Sequence, residues 1–303
     1  MGHPADAPVV AVVGATATGK SDLGLALARA LGGEVVGADA SQLYCGMDIG
    51  TAKLPAHRRQ DVAHHQIDVL EVWQEARVAA YQQHARADMA RIRARGARPV
   101  VVGGSGLYVR ALLDRLDIPP TDPGVRARWE ERLAREGAQS LHDLLADRDP
   151  AAARGIDWRN GRRLVRALEV IDLTGRPFSA TMPTREFAAP TVMIGLGADR
   201  PTLDERITRR VRDMWDAGML HEVSGLVDQG LRPSSTAVRA AGYPQALAQL
   251  DGRLSEEQAQ SDTVVATRRL ARRQISWFGA DPRVVWLPHD APDLVERALA
   301  LAG

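Results

Sequence analysis

Residues 9–21 read VVAVVGATATGKS, and this stretch decides the fold expected for the chain. Residues 9–13 are an apolar run rich in β-branched valine, which is typical of a buried strand. Residues 14–21 match the phosphate-binding pattern G-x-x-x-x-G-K-[ST], and a helical pattern follows over residues 21–31. A strand, a glycine loop and a helix in this order are the context that the pattern requires. The stretch therefore predicts a site for a di- or triphosphate.

The chemistry of the loop explains why these residue types occur together. Its glycines let successive N–H groups point inward, and the N-terminus of the following helix adds a partial positive charge. Lys20 supplies a full charge, and the Ser21 hydroxyl is suited to holding a magnesium ion. Lys20 and Lys53 are the only lysines of a chain whose other cations are arginine. A coding bias explains most of that preference, but a lysine kept in the loop indicates that a compact ammonium is needed there.

Short apolar runs and helical segments alternate along much of the chain. Further strands are expected at residues 34–37, 99–102, 191–196 and 284–287. Helices are expected at residues 77–95, 107–114, 202–230, 235–250, 255–279 and 293–301. This alternation predicts an α/β fold, a P-loop NTPase-like parallel sheet flanked by helices on both faces.

The character of the sequence changes at residues 118–123, IPPTDP, which read as a proline-rich linker. Residues 125–174 are helical throughout in their pattern, and the next strand pattern begins only at residue 191. We therefore expect an all-helical subdomain, residues 121–187, inserted into a core domain made of residues 1–120 and 188–303.

Polar residues follow the second and third expected strands, where ligands gather in an open α/β sheet. Asp39 comes just after the second strand, and GGSG at residues 103–106 follows the third. Asp39 is a candidate to contact magnesium through water or to accept a proton from a nucleophile; the alternative is an aspartate that stabilises a turn. No carboxylate ends the third strand, which argues against a phosphate-loop hydrolase. The glycines there are equally compatible with a simple tight turn.

Composition excludes several classes of protein. The net charge is +1, Cys45 is the only cysteine, and no apolar run approaches the length that spans a membrane. We expect a soluble cytoplasmic protein without internal disulfides and without a membrane partner. Arginines cluster at residues 162, 163 and 166 and again at residues 268, 269, 272 and 273. Such clusters usually form a solvated helix face, but beside a phosphate loop they make a polyanionic second substrate plausible.

Several motifs together resemble one family, the bacterial tRNA dimethylallyltransferases, also called tRNA isopentenyltransferases. Besides the phosphate loop, the matching segments are DASQLY at 39–44, GMDIGTAK at 46–53, HHQID at 64–68, GGSGLY at 103–108, RLVRALEV at 163–170, AGYPQ at 241–245 and TRRLARRQISW at 267–277. The combination is specific, whereas the phosphate loop alone is not. Two positions depart from the usual pattern: Pro244 stands where many relatives carry arginine, and Ser276 replaces a more common threonine.

The resemblance implies transfer of a dimethylallyl group from dimethylallyl diphosphate to N6 of the adenosine immediately 3′ of the anticodon in tRNA. It implies a catalytic set of Asp39 as general base with Lys20, Ser21 and Ser105. The implied diphosphate site, with Ser21 as the Mg²⁺ ligand, consists of Gly14, Ala15, Thr16, Ala17, Thr18, Gly19, Lys20, Ser21 and Arg210. The implied tRNA contacts are Asp39, Ala40, Ser41, Gln42, Ser105, Arg126, Arg162, Arg163, Arg166 and Gln274. We expect a monomer that grips the anticodon stem-loop with its helical insertion.

Two other functions are compatible with the residues themselves. A phosphate loop serves a small-molecule or nucleoside kinase equally well, because ATP and an allylic diphosphate present the same oxygens. A nucleotide-gated RNA-binding module without catalysis would also combine such a loop with arginine-rich helices.

Overall fold

The computed structural model describes residues 7–59, 61–181 and 185–303 of the chain. Its centre is β1, Val9–Gly14, a strand whose six residues are all buried. β1 leads through the phosphate loop into α1, Lys20–Ala30, which buries Leu23 and Leu27 against the sheet. Branched valines suit the extended backbone of β1, and apolar residues spaced by four suit one face of α1. The expected order of strand, loop and helix is confirmed.

The other strands of the described chain join β1 in one sheet in which the pairings are parallel. They are β2 Gly33–Gly37, β3 His64–His65, β4 Arg98–Gly103, β5 Thr191–Gly197 and β6 Val284–Pro288. The spatial order is β3-β2-β4-β1-β5-β6. In register, Val12 of β1 lies beside Val102 of β4 and Ile194 of β5. The α/β class with a parallel sheet is confirmed, and the central place of β1 carries the phosphate loop to the middle of one sheet edge.

The helices beyond α1 follow the chain in order. They are α2 Ala56–Arg59, α3 Val78–Ala94, α4 Gly106–Leu113, α5 Pro123–Arg148, α6 Pro150–Gly155, α7 Gly161–Thr174, α8 Arg200–Asp216, α9 Met219–Asp228, α10 Tyr243–Leu250, α11 Glu256–Gly279 and α12 Leu294–Ala302. Within the described ranges, no helix combines the length and the apolar character needed to cross a lipid bilayer.

Alternate residues of β1 face two separate apolar cores. Val9 and Val13 pack with side chains of α3 and α4 on one face of the sheet. Val10 and Val12 pack with side chains of α1 and α12 on the other. A strand buried on both faces is the usual centre of a parallel sheet, because crossover helices cover it from both sides. A third core joins residues 44–72 to helices α8, α9, α10 and α11.

The chain packs as two units: the described residues of Met1–Leu113 with Phe187–Gly303, and Asp114–Glu186. The second unit begins before the expected boundary at residue 121, because residues 114–120 are tied to it. Arg166 donates to the Pro119 and Pro120 carbonyls, and the Arg115 N–H donates to the Glu186 carbonyl at 2.8 Å. The second unit contains helices α5, α6 and α7 around its own apolar core.

Three expectations about the helices and strands need correction. The single helix expected over residues 202–230 is two helices, α8 and α9, which break at Gly218 because its φ is 100°. The helix expected over residues 235–250 begins only at Tyr243, after Gly242 with φ 99°. The helical stretch expected over residues 125–174 kinks at Gly137 and is non-helical over residues 156–160. The short elements α2 and β3 were not expected.

Candidate active site

The phosphate loop, residues 14–21, leaves β1 with a backbone that requires glycine at two positions. Gly14 has φ 136°, and a Cβ there would lie 2.8 Å from the Leu196 carbonyl oxygen; Gly19 has φ 90°. The Thr18 hydroxyl donates to the Ala15 carbonyl at 2.8 Å, and Lys20 Nζ donates to the same carbonyl at 2.5 Å. These bonds close the loop on itself and help to fix its shape.

Three charged side chains, Lys20, Arg210 and Asp39, line one cavity of about 120 Å³ beside this loop. Removal from water lowers the pKa of Lys20 to about 8, while Asp39 acts in the opposite sense and Arg210 lowers it further. Burial also lowers the pKa of Arg210, opposed by Asp39. Two cations around one carboxylate leave the cavity with excess positive charge, which favours an anionic ligand.

The loops after β2 and β4 meet at this cavity. Asp39 follows β2, and its Oδ1 accepts from the Ser41 N–H at 2.9 Å. The Ala40 N–H donates to Ser105 Oγ at 3.1 Å, which joins the two loops. The close approach needs Gly103, because a Cβ there would lie 2.1 Å from the Ala38 carbonyl oxygen. Gly103, the last residue of β4, thus lets Ser105 approach the Asp39 loop.

Gln274 of α11 connects the phosphate loop to the loop after β4. Its Oε1 accepts from the Thr16 N–H at 2.8 Å, and its Nε2 donates to the Gly104 carbonyl at 3.0 Å. The side chain is buried and lines the cavity. Gln274 therefore fixes two walls of the site, a role that its motif alone did not indicate.

A second cavity of about 380 Å³ adjoins the first and shares Lys20, Ser21 and Arg210 with it. Four further cationic residues line it, Lys53, Arg58, Arg206 and Arg209, together with the carboxylates Asp22 and Asp213. Arg206 also donates from Nε to the Ala17 carbonyl at 2.7 Å, which holds the phosphate loop from outside. The sequence analysis did not assign Arg58, Arg206 or Arg209 to the site. The i, i+3, i+4 spacing places Arg206 and Arg209 on the same face of α8 as the predicted Arg210.

Oxygen ligands for a metal ion in this region come from few side chains. Ser21 lines both cavities, and Asp39 lines the first. Over residues 7–59, 61–181 and 185–303, no three His, Cys, Asp or Glu side chains are grouped so as to hold a metal ion. Mg²⁺ commonly keeps several waters and binds substrate phosphates with only one or two protein oxygens. Ser21 beside a bound diphosphate fits that kind of site.

The four other predicted tRNA contacts lie in the helical unit and fall into two groups. Arg126 and Arg166 both pair with the fully buried Glu169, at 2.7 and 2.9 Å. Although burial raises the pKa of Glu169, hydrogen bonds from Thr121 and these arginines outweigh it and hold the pKa at about 2. Arg162 and Arg163, by contrast, are exposed on α7. Arg162 and Arg163 are therefore the pair most open to a ligand, while Arg126 and Arg166 support the fold of the unit.

Comparison with known proteins identifies the family of this chain. The family model described as IPP transferase matches residues 42–281. The chain belongs to the IPP transferase family. The tRNA dimethylallyltransferase of Thermobifida fusca is 58% identical over 97% of this chain and 93% of its own length. That of Streptomyces griseus is 54% identical over 99% of both chains.

A solved structure from the IPP transferase family shares the fold. The full-length tRNA isopentenylpyrophosphate transferase of Bacillus halodurans is 37% identical and superposes with a TM-score of 0.71, covering 97% of this chain and 94% of its own. The family resemblance seen in the sequence is thereby confirmed. These relatives are prenyltransferases by name, so they support the transferase interpretation rather than the kinase alternative.

Proposed function

We propose that this IPP transferase transfers the dimethylallyl group of dimethylallyl diphosphate to N6 of the adenosine immediately 3′ of the anticodon in tRNA, giving N6-isopentenyladenosine. The observation that carries the proposal is the meeting of two kinds of group in one cavity. Lys20 and Arg210 supply positive charge, and Asp39 and Gln42 supply a carboxylate and an amide at the same place. A diphosphate and a nucleobase would need these groups side by side.

The cations suit the departure of the diphosphate. Breaking the allylic C–O bond leaves positive charge on the allyl carbon and adds negative charge to the leaving oxygens. Lys20, Arg210 and the N–H groups of the phosphate loop would stabilise those oxygens in place before the reaction starts. Arg206 and Gln274 hold the loop from outside and from within, which supports its alignment with the bond that breaks.

Asp39 suits the acceptor side of the reaction. Adenine N6 is a weak nucleophile because its lone pair is delocalised into the ring, so a carboxylate that takes its proton during attack is useful. Only Oδ1 of Asp39 has a hydrogen-bond partner among the described residues, namely the Ser41 N–H. We assign Oδ2 as the proton acceptor, with Ala40, Ser41, Gln42 and Ser105 around the base.

The adenosine must leave its stack to reach this cavity. Extrusion is least costly where a base is already in a single-stranded loop, as in an anticodon loop. The exposed Arg162 and Arg163 of the helical unit would grip the phosphate backbone. We further propose that the protein acts as a monomer, and a tRNA substrate supports a cytoplasmic location.

A magnesium ion fits the donor set at Ser21. Its hydroxyl and the oxygens of a bound diphosphate are the hard ligands that this ion prefers. When bound, the ion would add positive charge near the leaving oxygens.

Mass spectrometry of tRNA nucleosides tests the proposal. Unmodified tRNA incubated with the enzyme, Mg²⁺ and dimethylallyl diphosphate should yield N6-isopentenyladenosine. Asp39→Ala should bind tRNA with wild-type affinity but form no product, which would also exclude a non-catalytic RNA-binding module. If the tRNA digests contain no isopentenyladenosine and a label on the γ-phosphate of ATP is transferred to a metabolite, the protein would instead be a kinase.

A further inference from the structure

The segment of residues 46–53, which we call the Thr51 loop, is held by one carboxylate from helix α9. Glu222 Oε2 accepts from the Asp48 N–H at 2.9 Å and from the Ile49 N–H at 2.6 Å. Its Oε1 accepts from the Gly50 N–H at 3.2 Å. Hydrogen bonds to an ionised acceptor are about twice as strong as neutral ones. Glu222 therefore fixes three successive peptide groups of the loop.

A buried tyrosine fixes Glu222 in turn. The Tyr243 hydroxyl donates to Glu222 Oε1 at 2.7 Å, and the Tyr243 side chain is fully buried. The loop packs directly on the tyrosine ring, because a Cβ at Gly50 would lie 2.7 Å from Tyr243 Cε2. The Thr51 loop is thus contacted by two helices: α9 through the Glu222 carboxylate, and α10 through the Tyr243 ring.

The far end of the same loop is held by Lys53. Its Nζ donates to the Tyr44 carbonyl and pairs with Asp48 at 2.8 Å and Asp68 at 2.5 Å. The side chain is 1% exposed, so this lysine is structural. Glu222 and Lys53 therefore leave little freedom to the residues between them.

The carbonyl between these anchors contacts two groups of the cavity. The Thr51 oxygen accepts from Gln42 Nε2 at 3.0 Å and from an Arg210 guanidinium nitrogen at 3.4 Å. Gly50, Thr51 and Ala52 themselves line the cavity. The position of one backbone oxygen thus influences the amide proposed to face the adenine and the guanidinium proposed to face the diphosphate.

We propose that Glu222 and Tyr243 are positioning residues, which act through the Thr51 carbonyl to orient Arg210 and Gln42. The roles of Arg210 and Gln42 rest on the proposed function, but the alignment itself is measurable without turnover. Glu222→Gln replaces one acceptor oxygen with an N–H donor that faces backbone N–H groups, so the Thr51 loop should shift.

Inorganic pyrophosphate is the probe, measured by calorimetry on the full chain. Glu222→Gln should weaken its binding by about tenfold, since this is roughly the loss expected when one charge-assisted hydrogen bond from Arg210 to the anion is misaligned. Asp228→Asn is the matched control, because it removes a carboxylate from the exposed end of the same helix, and it should bind as the wild type does. Wild-type pyrophosphate affinity in Glu222→Gln would overturn the proposal.

A double variant separates positioning from general loss of structure. If Glu222 acts through Arg210, then Arg210→Gln combined with Glu222→Gln should bind pyrophosphate no more weakly than Arg210→Gln alone. Losses that multiply would overturn the proposal. In the transfer assay, Glu222→Gln should also raise KM for tRNA through Gln42, with a smaller effect on kcat.

A gentler variant covers the case in which Glu222→Gln does not fold. Tyr243→Phe keeps the buried ring and removes only the hydroxyl donor, and we expect about three- to tenfold weaker pyrophosphate binding. Unchanged binding would count against the proposal. A wild-type protein that binds pyrophosphate but transfers no dimethylallyl group would refute the proposed function, while the pyrophosphate comparison would still decide the role of Glu222.

Discussion

Diphosphate binding should depend on pH through Lys20. The pKa of Lys20 is about 8, because the surrounding protein removes the amine from water. At this pKa, the ammonium form falls from about 90% at pH 7 to about 10% at pH 9. A bound diphosphate adds negative charge beside the amine and raises its pKa, so binding takes up a proton. Affinity is therefore highest below pH 8 and should fall by about tenfold between pH 7 and pH 9.

Calorimetry with pyrophosphate in buffers of different ionisation enthalpy measures this uptake directly. We expect about half a proton bound per pyrophosphate at pH 8 through Lys20. Lys20→Arg is the control, because its guanidinium stays charged across this range and leaves only the titration of pyrophosphate itself. A wild-type protein with the same pH dependence and proton uptake as Lys20→Arg would refute the assigned Lys20 ionisation.

Three further predictions concern other parts of the molecule. Glu169→Gln should lower the free energy of unfolding by about 2 kcal/mol at pH 7 in denaturant titrations, since it weakens charge-assisted bonds at a buried site. The difference in unfolding free energy between wild type and variant should become smaller as pH falls from 4.5 toward about 2. In this range Glu169 takes up a proton in the unfolded wild-type chain but stays ionised in the folded one. Arg162→Gln with Arg163→Gln should raise KM for tRNA and make the log–log salt slope of tRNA binding shallower by about 1.5. Gln274→Leu should raise KM for dimethylallyl diphosphate by about tenfold, because it releases the Thr16 N–H from its acceptor.

Each of these predictions has an outcome that contradicts it. Equal stability of Glu169→Gln and wild type at pH 7 would mean that the buried carboxylate contributes nothing to the helical unit. If the two arginine substitutions change only the KM for dimethylallyl diphosphate, the helical unit does not contribute to tRNA binding. An unaltered KM in Gln274→Leu would show that the phosphate loop keeps its shape without this amide.

The sheet could be predicted from the sequence because its strands are continuous valine-rich runs. β1, β2, β4, β5 and β6 all lie where those runs predicted strands. β3 consists of His64 and His65 alone, which are polar and pair with Val35 and Val36 at the edge of the sheet. Such a short strand is formed by its neighbours and leaves no periodic signal of its own.

The glycines at the two helix breaks are visible in the sequence, but the sequence does not show that the helices end there. Gly218 and Gly242 both adopt positive φ, whereas an isolated glycine inside a helical pattern is usually tolerated. At Gly242 a Cβ would lie 3.3 Å from Met219 Cε, whereas a Cβ at Gly218 would meet no atom within 4 Å. The crowding at Gly242 comes from a residue of a different helix, so the sequence pattern around Gly242 could not predict it.

The candidate site was predictable where it follows strand ends and less so elsewhere. Asp39 and Lys20 were expected to meet because parallel strands end at one edge, and they line one cavity. Arg206 was missed because arginine is so common in this chain that one more carries little information. Arg126 and Arg166 carry the same charge as Arg162, and only the fold reveals that a buried carboxylate neutralises them.

The different surroundings of the two lysines should allow one of them to be modified chemically without the other. Lys53 is 1% exposed and held by two aspartates, while Lys20 faces the cavity with a depressed pKa. An amine-reactive acylating reagent near neutral pH should therefore modify the lysine of the phosphate loop and spare the other. Occupancy of the diphosphate site could then be followed by protection of a single peptide in mass spectra, without radioactive substrate or a functional assay.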